Sequence, residues 1–204
     1  TRRVQRLHPG DRPASRTLPL RAGDVVVATG GARGITAACM LGLARRTPLR
    51  LWLLGSSRLQ EVPAELLEAD DGQLPQLRAR YLAEHSAKPG AASVRELNAA
   101  FNRLLHARES RRNLAALRRL CGEAQVDFLS CDLGDPAAVR AAAEQIRAAS
   151  GRVDLLVHGA GLHYPGEITR LDVGDLRRIR EVKVDGYLHL RAAFAGIVQP
   201  RAVD

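Results

Sequence analysis

A glycine-rich stretch near the start of the chain could bind a phosphate group. The apolar run Val25–Ala28 predicts a short buried strand, and an alanine-rich helix is predicted to begin near Gly34. The turn between them contains Gly30 and Gly31, which can take positive φ and let a diphosphate approach the backbone. The free N–H groups and the dipole of the following helix favour that negative charge. The stretch therefore predicts a dinucleotide-binding loop, and a merely tight strand-to-helix turn is the alternative.

One lysine in the last predicted helix could be a functional amine. Lys183 lies four residues after Ile179 and seven after Leu176, so we expect it to point along the apolar face of that helix. A lysine on an inward face is costly unless it has a partner or a chemical task. Extension of its amine to the rim of the fold is the alternative.

Further candidate ligands follow two of the predicted strands. Ser57 and Arg58 stand where a dinucleotide fold meets the adenosine ribose, and no acidic residue accompanies them. Together with Arg33 they could bind a 2′-phosphate, which favours NADP over NAD; a solvated loop arginine is the alternative. Asp132 could accept a hydrogen bond from an adenine amino group, with Leu133 against the ring. An aspartate that caps its own loop is the competing interpretation.

Small residues follow the fourth predicted strand. Gly159–Gly161 would let the backbone pass close to a cofactor or to another strand. His158, directly before them, is expected to be structural because nothing nearby supplies a nucleophile. His163 and Tyr164 in the next loop could line a substrate cleft.

The composition indicates a globular domain with a sizeable core. The length of 204 residues is enough for one α/β domain, and hydrophobic residues make up 46% of them, which indicates a globular fold. No apolar run is long enough to span a bilayer and the first residues lack a signal segment, so we expect a cytoplasmic protein with no membrane partner. Cys39, Cys121 and Cys131 have no paired spacing and are expected to be reduced thiols rather than metal ligands.

The formal net charge of +9 is typical of proteins that bind nucleic acid. Two observations argue against such a partner. The basic residues are almost all arginines spread along the chain among acidic residues, and aromatic residues, which stack on single strands, make up only 3%. A phosphorylated cofactor or carrier explains the charge equally well. We therefore expect no nucleic-acid partner.

Four apolar runs predict the strands that position these residues. They are Val25–Ala28, Leu51–Leu54, Val126–Ser130 and Asp154–His158. Because helical segments alternate with them, we predict an α/β fold: a Rossmann-like, doubly wound parallel sheet, incomplete in extent, with strand order 3-2-1-4. Residues 1–22 are expected to form a linker or arm, and residues 23–204 the dinucleotide-binding domain.

The connection between the second and third strands is too long for a simple crossover. A βαβ unit needs about 30 residues, yet residues 61 to about 120 lie between these strands. Apolar residues at helical spacing predict an inserted helical hairpin packed against the sheet edge. Five arginines would lie on the outer side of this hairpin. These arginines would form either a solvated basic face or a docking surface for an acidic partner. These are Arg95, Arg103, Arg108, Arg111 and Arg112.

Four motifs occur in order along the chain: TGGARGIT at 29–36, CDL at 131–133, HGAG at 158–161 and KVDG at 183–186. Together they resemble the short-chain dehydrogenase/reductase superfamily, and more narrowly the ketoreductase domains of polyketide synthases and polyunsaturated-fatty-acid synthases. Those domains have a lysine, followed by Val-x-Gly, where most single-domain relatives have asparagine. Thr36 in place of a last glycine, and the helical insert, are most similar to iterative synthases of the polyunsaturated-fatty-acid or enediyne type. The resemblance covers residues 23 to about 195.

The resemblance implies hydride transfer from NADPH to the β-keto group of an acyl thioester. The substrate would be held by phosphopantetheine on an acyl carrier protein, within a synthase that has other domains. By position, pyrophosphate binding is assigned to Thr29, Gly30, Gly31, Ala32, Arg33, Gly34 and Ile35. Adenine binding is assigned to Asp132 and Leu133, the nicotinamide ribose to Gly159, Ala160 and Gly161, and the catalytic role to Lys183. Ser56 stands where many ketoreductases have arginine, which leaves Arg33 and Arg58, with Ser57, to bind the 2′-phosphate.

The same domains have a catalytic serine on the next strand and a Tyr-x-x-x-Asn on the next helix, and neither segment is present in these 204 residues. The tyrosine protonates the carbonyl oxygen as hydride arrives. We therefore expect the chain to be the amino-terminal part of an NADPH-dependent β-ketoacyl reductase domain, inactive by itself and prone to self-association through an uncovered apolar edge of the sheet. A non-catalytic NADP-binding or carrier-docking module, or a nucleic-acid-binding protein with this fold, are the alternatives.

Overall fold

Four parallel strands form one sheet in the order β3-β2-β1-β4 in the computed structural model, which describes residues 20–88, 90, 92–162 and 172–198. The predicted fold class and strand order are confirmed. Because the strands run in the same direction, their carboxyl ends lie at one edge of the sheet. The strands are β1 (Val25–Thr29), β2 (Arg50–Gly55), β3 (Val126–Ser130) and β4 (Leu155–His158).

The central strands are apolar on both faces. Val26, Val27 and Leu53 are fully buried, and Val27 pairs with Trp52 of β2 and with Leu156 of β4. Continuous apolar runs of this kind are typical of parallel strands that are covered by helices on both sides.

The structure describes seven helices, four of which cover the two faces of this sheet. The seven are α1 (Gly34–Ala44), α2 (Ala64–Glu68), α3 (Leu74–Ser86), α4 (Val94–Cys121), α5 (Pro136–Ser150), α6 (Val173–Arg180) and α7 (Gly186–Phe194). A 3₁₀ turn, Glu123–Gln125, precedes β3, and a π-helical turn, Glu181–Asp185, joins α6 to α7.

Two apolar clusters hold the layers together. On one face, Ile146 of α5 and Leu190 of α7 pack with Val27. On the other face, Met40 of α1 and Leu117 of α4 belong to the cluster that contains Val26. The sheet is therefore doubly wound, as the alternation of strands and helices predicts.

α4 is both the main part of the insert and the crossover helix between β2 and β3. It is 28 residues long and begins at a capping box, in which Ser93 Oγ accepts the N–H of Glu96 and the Glu96 carboxylate accepts the N–H of Ser93. Leu114 and Leu117, in its C-terminal half, are buried against the strands. The insert is helical as expected, but it covers a face of the sheet rather than its edge.

The expectation that five arginines lie on the outer side of the insert is corrected most clearly at Arg108. This side chain is only 7% exposed. Its Nε donates to Leu66 O at 2.8 Å, and its Nη atoms contact Ala69 O and the Asp71 carboxylate. Arg108 therefore satisfies carbonyl groups at the end of α2 that the fold removes from water.

Two more of these arginines are also bound to backbone. Arg111 and Arg112 donate to carbonyl groups of the loop before α2 and of α2 itself. Arg95 and Arg103 are exposed, as expected. The helix sequence alone could not separate these roles, because the groups that receive the hydrogen bonds lie about forty or more residues earlier in the chain.

β4 is one of the two edge strands of the sheet in the part of the chain that the structure describes, and β3 is the other. It pairs with β1 on one side. On the other side, Val153 N donates to Ile197 O at 3.0 Å, and an isolated parallel bridge joins Val153 to Val198. The chain after α7 thus returns beside β4.

Within residues 20–162 and 172–198, apart from 89 and 91, no helix is both long and apolar enough to cross a membrane. Most of the predicted arm lies outside the described residues, which begin at Leu20.

Candidate functional site

The loop between β1 and α1 approaches the end of β4 closely. Gly30 has a φ of +69°, and a Cβ there would lie 3.1 Å from the backbone of Ala160. Gly34 has a φ of +59°. Gly31, expected to share this freedom, does not have positive φ; it is buried, and a Cβ there would lie 2.7 Å from Leu53 Cδ2. Gly31 therefore permits packing on β2, whereas Gly30 and Gly34 provide the left-handed turns.

The N-terminus of α1 presents backbone N–H groups at this loop. The N-cap residue, Arg33, has an extended backbone, and Ile35 is 85% exposed. Within the described residues, the N–H groups of Ile35 and Thr36 have no acceptor. The N–H of Gly34 donates to Glu109 Oε1 of α4 at 2.8 Å. The helix N-terminus is therefore already in contact with a carboxylate of the chain itself, and its binding of a diphosphate stays a prediction.

A second residue of α4 contacts the same loop. Asn113 Nδ2 donates to the carbonyl oxygen of Ala32, which is buried, at 3.0 Å. Asn113 lies one helical turn after Glu109, so both side chains are on one face of α4. The insert is thus connected to the glycine loop by two side chains that no motif indicated.

Thr36 explains why residue 159, the first after β4, is a glycine. Its Oγ1 donates to Gly159 O at 3.3 Å, and a Cβ at residue 159 would lie 3.0 Å from Thr36 Cβ. A side chain at 159 is therefore excluded because a threonine, rather than a glycine, stands in the first turn of α1. At Gly161, a Cβ would lie 3.0 Å from Lys183 Cε. The small residues predicted here thus border α1 on one side and the lysine on the other.

His158 connects the end of β4 to β1 and to the π-helical turn. Its Nε2 lies 3.2 Å from the carbonyl oxygen of Lys183, which can only accept, so Nε2 carries the proton. In the neutral ring Nδ1 then accepts from the Thr29 hydroxyl, at 3.0 Å. Thr29 Oγ1 in turn accepts the N–H of Ala160 at 3.2 Å. This chain of hydrogen bonds fixes the imidazole tautomer and gives His158 the structural role that the sequence favours.

Lys183 lies in the π-helical turn and faces the glycines after β4. The residue is exposed, and Leu176, on the face predicted to be inward, is 45% exposed, so the predicted buried stripe is wrong there. The lysine extends to the rim of the fold. That rim is an open groove of about 500 Å³, and π-helical turns are frequent at functional sites. The groove is lined by His158, Gly159, Ala160, Gly161, Leu162 and Lys183.

The two residues predicted to contact adenine differ in exposure. Asp132 is exposed and its Oδ1 accepts the N–H of Gly134 at 3.0 Å, which is the competing loop-capping role. Leu133 is 5% exposed, and a Cβ on Gly186 would lie 2.9 Å from its Cβ. The Leu133 side chain is therefore packed against α7, and its contact with an adenine ring stays a prediction.

The residues predicted to bind a 2′-phosphate are at the same sheet edge. Ser57 and Arg58 are exposed in the loop after β2, and Arg33 is exposed at the start of α1. Within the described residues, none of these three side chains makes a hydrogen bond or ion pair. The edge thus offers two guanidinium groups to an anion, and their role stays a prediction.

Two titratable groups near this edge have shifted pKa values. Burial lowers the pKa of His106 on α4, as does the charge of Arg33, while Glu109 acts in the opposite direction. Burial raises the pKa of Cys131 to about 11, with contributions from Asp132 and Asp135. Cys131 is therefore a protonated core thiol at neutral pH.

Two candidate residues lie outside the described part of the chain, namely His163 and Tyr164. Among the described residues, no group of side chains could hold a metal ion, and the three cysteines are free thiols.

Comparison with known proteins places this arrangement in a family. A family model described as short chain dehydrogenase matches residues 89–201, which is more than half of the chain. The chain belongs to the short-chain dehydrogenase family. The matched range of this short-chain dehydrogenase includes β3, β4 and the lysine turn. The glycine loop precedes that range, and the fold brings it beside these elements.

A sequence relative indicates which group of short-chain dehydrogenases this chain resembles. The chain is 30% identical over 159 residues to a polyunsaturated fatty acid synthase polypeptide from Thraustochytrium sp.. The alignment covers 74% of this chain but only 6% of that much longer polypeptide. The resemblance to ketoreductase domains of such synthases, recognised from four short motifs, is confirmed.

Solved structures share the fold at low identity. An N-terminal ketoreductase from the macrolactin assembly line superposes with a TM-score of 0.59 at 19% identity, over 89% of this chain and 27% of that one. A second match is a multidomain structure of a keto acid-selecting NRPS module with adenylation, ketoreductase and pseudo-Asub domains. It superposes with a TM-score of 0.57 at 17% identity, over 86% of this chain and 11% of that one.

Proposed function

We propose that this chain forms the cofactor-binding part of an NADPH-dependent ketoreductase that reduces a β-ketoacyl thioester on an acyl carrier protein. The observation that supports this most strongly is the position of Lys183 beside Gly159–Gly161, in one groove next to the glycine loop. Membership of the short-chain dehydrogenase family supports a nicotinamide cofactor. The identity with a polyunsaturated fatty acid synthase supports a carrier-bound acyl substrate and neighbouring synthase domains.

The residues that would hold the cofactor lie along the carboxyl edge of the sheet. When bound, NADPH supplies the hydride. The N–H groups at the start of α1 bind the diphosphate, and the absence of a side chain at Gly30 lets it approach the backbone. The exposed guanidinium groups of Arg33 and Arg58 bind the 2′-phosphate, with Ser57 beside them.

Lys183 acts at the nicotinamide end. Its ammonium group holds the proton relay and orients the general acid that protonates the carbonyl oxygen of the substrate. Its backbone is fixed by the hydrogen bond between Lys183 O and His158 Nε2. In this proposal the serine and tyrosine of the site are contributed from outside these 204 residues.

The surface beside the groove suits an acidic carrier protein. Arg177 and Arg178 are exposed on α6, shortly before Lys183, and Arg180, also exposed, forms an ion pair with Asp185 at 3.4 Å. A phosphopantetheine arm that enters the groove would bring its carrier close to these positive charges, which favours association with an acidic surface.

The reaction is tested in a protein that contains this chain together with the serine and tyrosine. We expect it to oxidise NADPH in the presence of a β-ketoacyl thioester. Lys183→Ala should lower turnover at least about a hundredfold while NADPH affinity changes by less than about threefold, because the amine acts on the proton relay. Arg140→Ala, at an exposed position of α5 outside the groove, is the control and should keep its turnover.

Absence of NADPH oxidation by the unsubstituted protein would reject the reductase. Saturable NADPH binding without turnover would instead indicate the non-catalytic binding module. Equal loss of turnover and of NADPH affinity in Lys183→Ala would show that the lysine is merely structural.

A further inference from the structure

α4 contacts the predicted phosphate-binding turn with a negative charge. Glu109 Oε1 accepts the N–H of Gly34, the first residue of α1, at 2.8 Å. The positive end of the α1 dipole lies at this point, so a carboxylate is stabilised there. Glu109 lies 75 residues after Gly34, and the contact exists because α4 packs beside α1.

The rest of α4 holds this carboxylate in place. One turn later, Asn113 Nδ2 donates to Ala32 O at 3.0 Å. Leu114 and Leu117 then anchor the helix in the core, with 2% and 0% exposure. Glu109 is solvent-exposed, and the packed helix fixes the position of its backbone beside the turn.

The same turn must also bind the cofactor if the proposed function is right. The next N–H groups, of Ile35 and Thr36, have no acceptor within the described residues. A diphosphate bound to them would lie next to the Glu109 carboxylate, and like charges at such short range repel.

We propose that Glu109 sets the cofactor affinity of this site, by occupying the N-terminus of α1 as an internal anion that a dinucleotide must displace or tolerate. This inference rests on the proposed function and deepens its cofactor site. Glu109 is a positioning and affinity-determining residue rather than a catalytic one, because it touches the binding turn and not the reacting atoms. The insert thereby reduces the affinity of the loop that it covers.

The decisive variant is Glu109→Gln. The amide oxygen of glutamine can still accept the N–H of Gly34, so the loop contact is kept and only the charge is lost. Dissociation constants for inorganic pyrophosphate and for NADPH are measured by calorimetry on the 204-residue chain. We expect Glu109→Gln to bind both about three- to tenfold more tightly at low salt, and the difference to shrink at about 0.5 M salt, because screening weakens charge repulsion.

Two controls separate the charge from its surroundings. Glu84→Gln removes the same charge from an exposed position on α3 and should leave both dissociation constants unchanged. Asn113→Ala removes the second loop contact without a change of charge and should not tighten binding. Circular dichroism of each variant verifies the fold, and Glu109→Ala provides a second uncharged variant with the same expected direction.

Each outcome decides the inference. If both Glu109→Gln and Glu109→Ala bind pyrophosphate no more tightly than the unsubstituted chain, the inference about Glu109 is overturned. The proposed function still stands in that case if the unsubstituted chain and the variants bind NADPH equally well. Tighter pyrophosphate binding without NADPH binding supports the internal anion and rejects the proposed function. Absence of binding of either ligand by every protein overturns both.

Discussion

His158 illustrates how a titratable residue beside a candidate site can be structural. One ring nitrogen is bound to the Thr29 hydroxyl and the other to the carbonyl oxygen of Lys183. Neither nitrogen is left for a substrate, and the ring faces Tyr187 with 6.2 Å between centroids. Among the described residues that line the groove, Lys183 is the one with a cationic side chain, so the chemistry expected there depends on it.

At the residue scale, Arg33 should decide between the two nicotinamide cofactors. Arg33→Ala is expected to weaken NADPH binding about tenfold and NADH binding less than about twofold, because a guanidinium–phosphate pair contributes on the order of one to two kcal/mol. Fluorescence titration of the chain with each cofactor measures both values. Arg46→Ala, exposed beyond the other end of α1, is the matched control. Parallel weakening of both cofactors would remove the 2′-phosphate role.

At the element scale, α4 combines three tasks in one helix. Its C-terminal half buries Leu114 and Leu117 on the sheet. Its middle turns place Glu109 at the glycine loop and Arg108 among the carbonyl groups of α2. Adjacent residues on a helix point about 100° apart, so one segment can face both the loop and the insert.

Arg108 should be the main electrostatic anchor of the insert. Arg108→Met is expected to lower the free energy of unfolding by about 2–4 kcal/mol, because it leaves the carbonyl group of Leu66 without its donor and removes one of the two arginine donors of Ala69 O, the other being Arg112. Urea denaturation measures this loss. Arg103→Met, at an exposed site of the same helix, should change the free energy of unfolding by less than about 0.5 kcal/mol. Equal effects of the two substitutions would contradict the role of Arg108.

At the scale of the whole molecule, apolar surface is concentrated beyond β4. Five of the eight large apolar side chains that are exposed in the described residues lie on α6, the π-helical turn and α7. Patches of this kind mark surfaces that are covered by other protein. The five are Val173, Leu176, Val184, Tyr187 and Leu188.

We expect the 204-residue chain to self-associate through this surface. Sedimentation velocity should show a weight-average sedimentation coefficient that rises with protein concentration in the micromolar range. The double variant Leu176→Lys, Leu188→Lys should reduce the rise, because charged side chains oppose burial of the patch. Leu120→Lys, at an exposed position of α4, is the control. A chain that stays monomeric throughout would refute this expectation.

Much of the architecture could be predicted from local patterns. The four apolar runs located each strand end within one residue, and the alternation of strands and helices predicted their order. The burial of Arg108 and Leu133 could not be predicted in this way. Arg108 stands at the helical spacing of the apolar residues Leu97 and Phe101, but its charge favours exposure and the carbonyl groups that it binds lie about forty residues earlier. Leu133 is covered by a helix about fifty residues later in the chain.

The sequence by itself determined the sheet, the glycine turn and the family, because each depends on residues that are neighbours in the chain and on periodicities that burial imposes. Only the tertiary structure decided that Lys183 faces Gly161 and that Glu109 binds the N–H of Gly34. The physical reason is that these contacts join residues 22 and 75 positions apart. Their geometry depends on how whole helices pack against the sheet, and no local pattern encodes it.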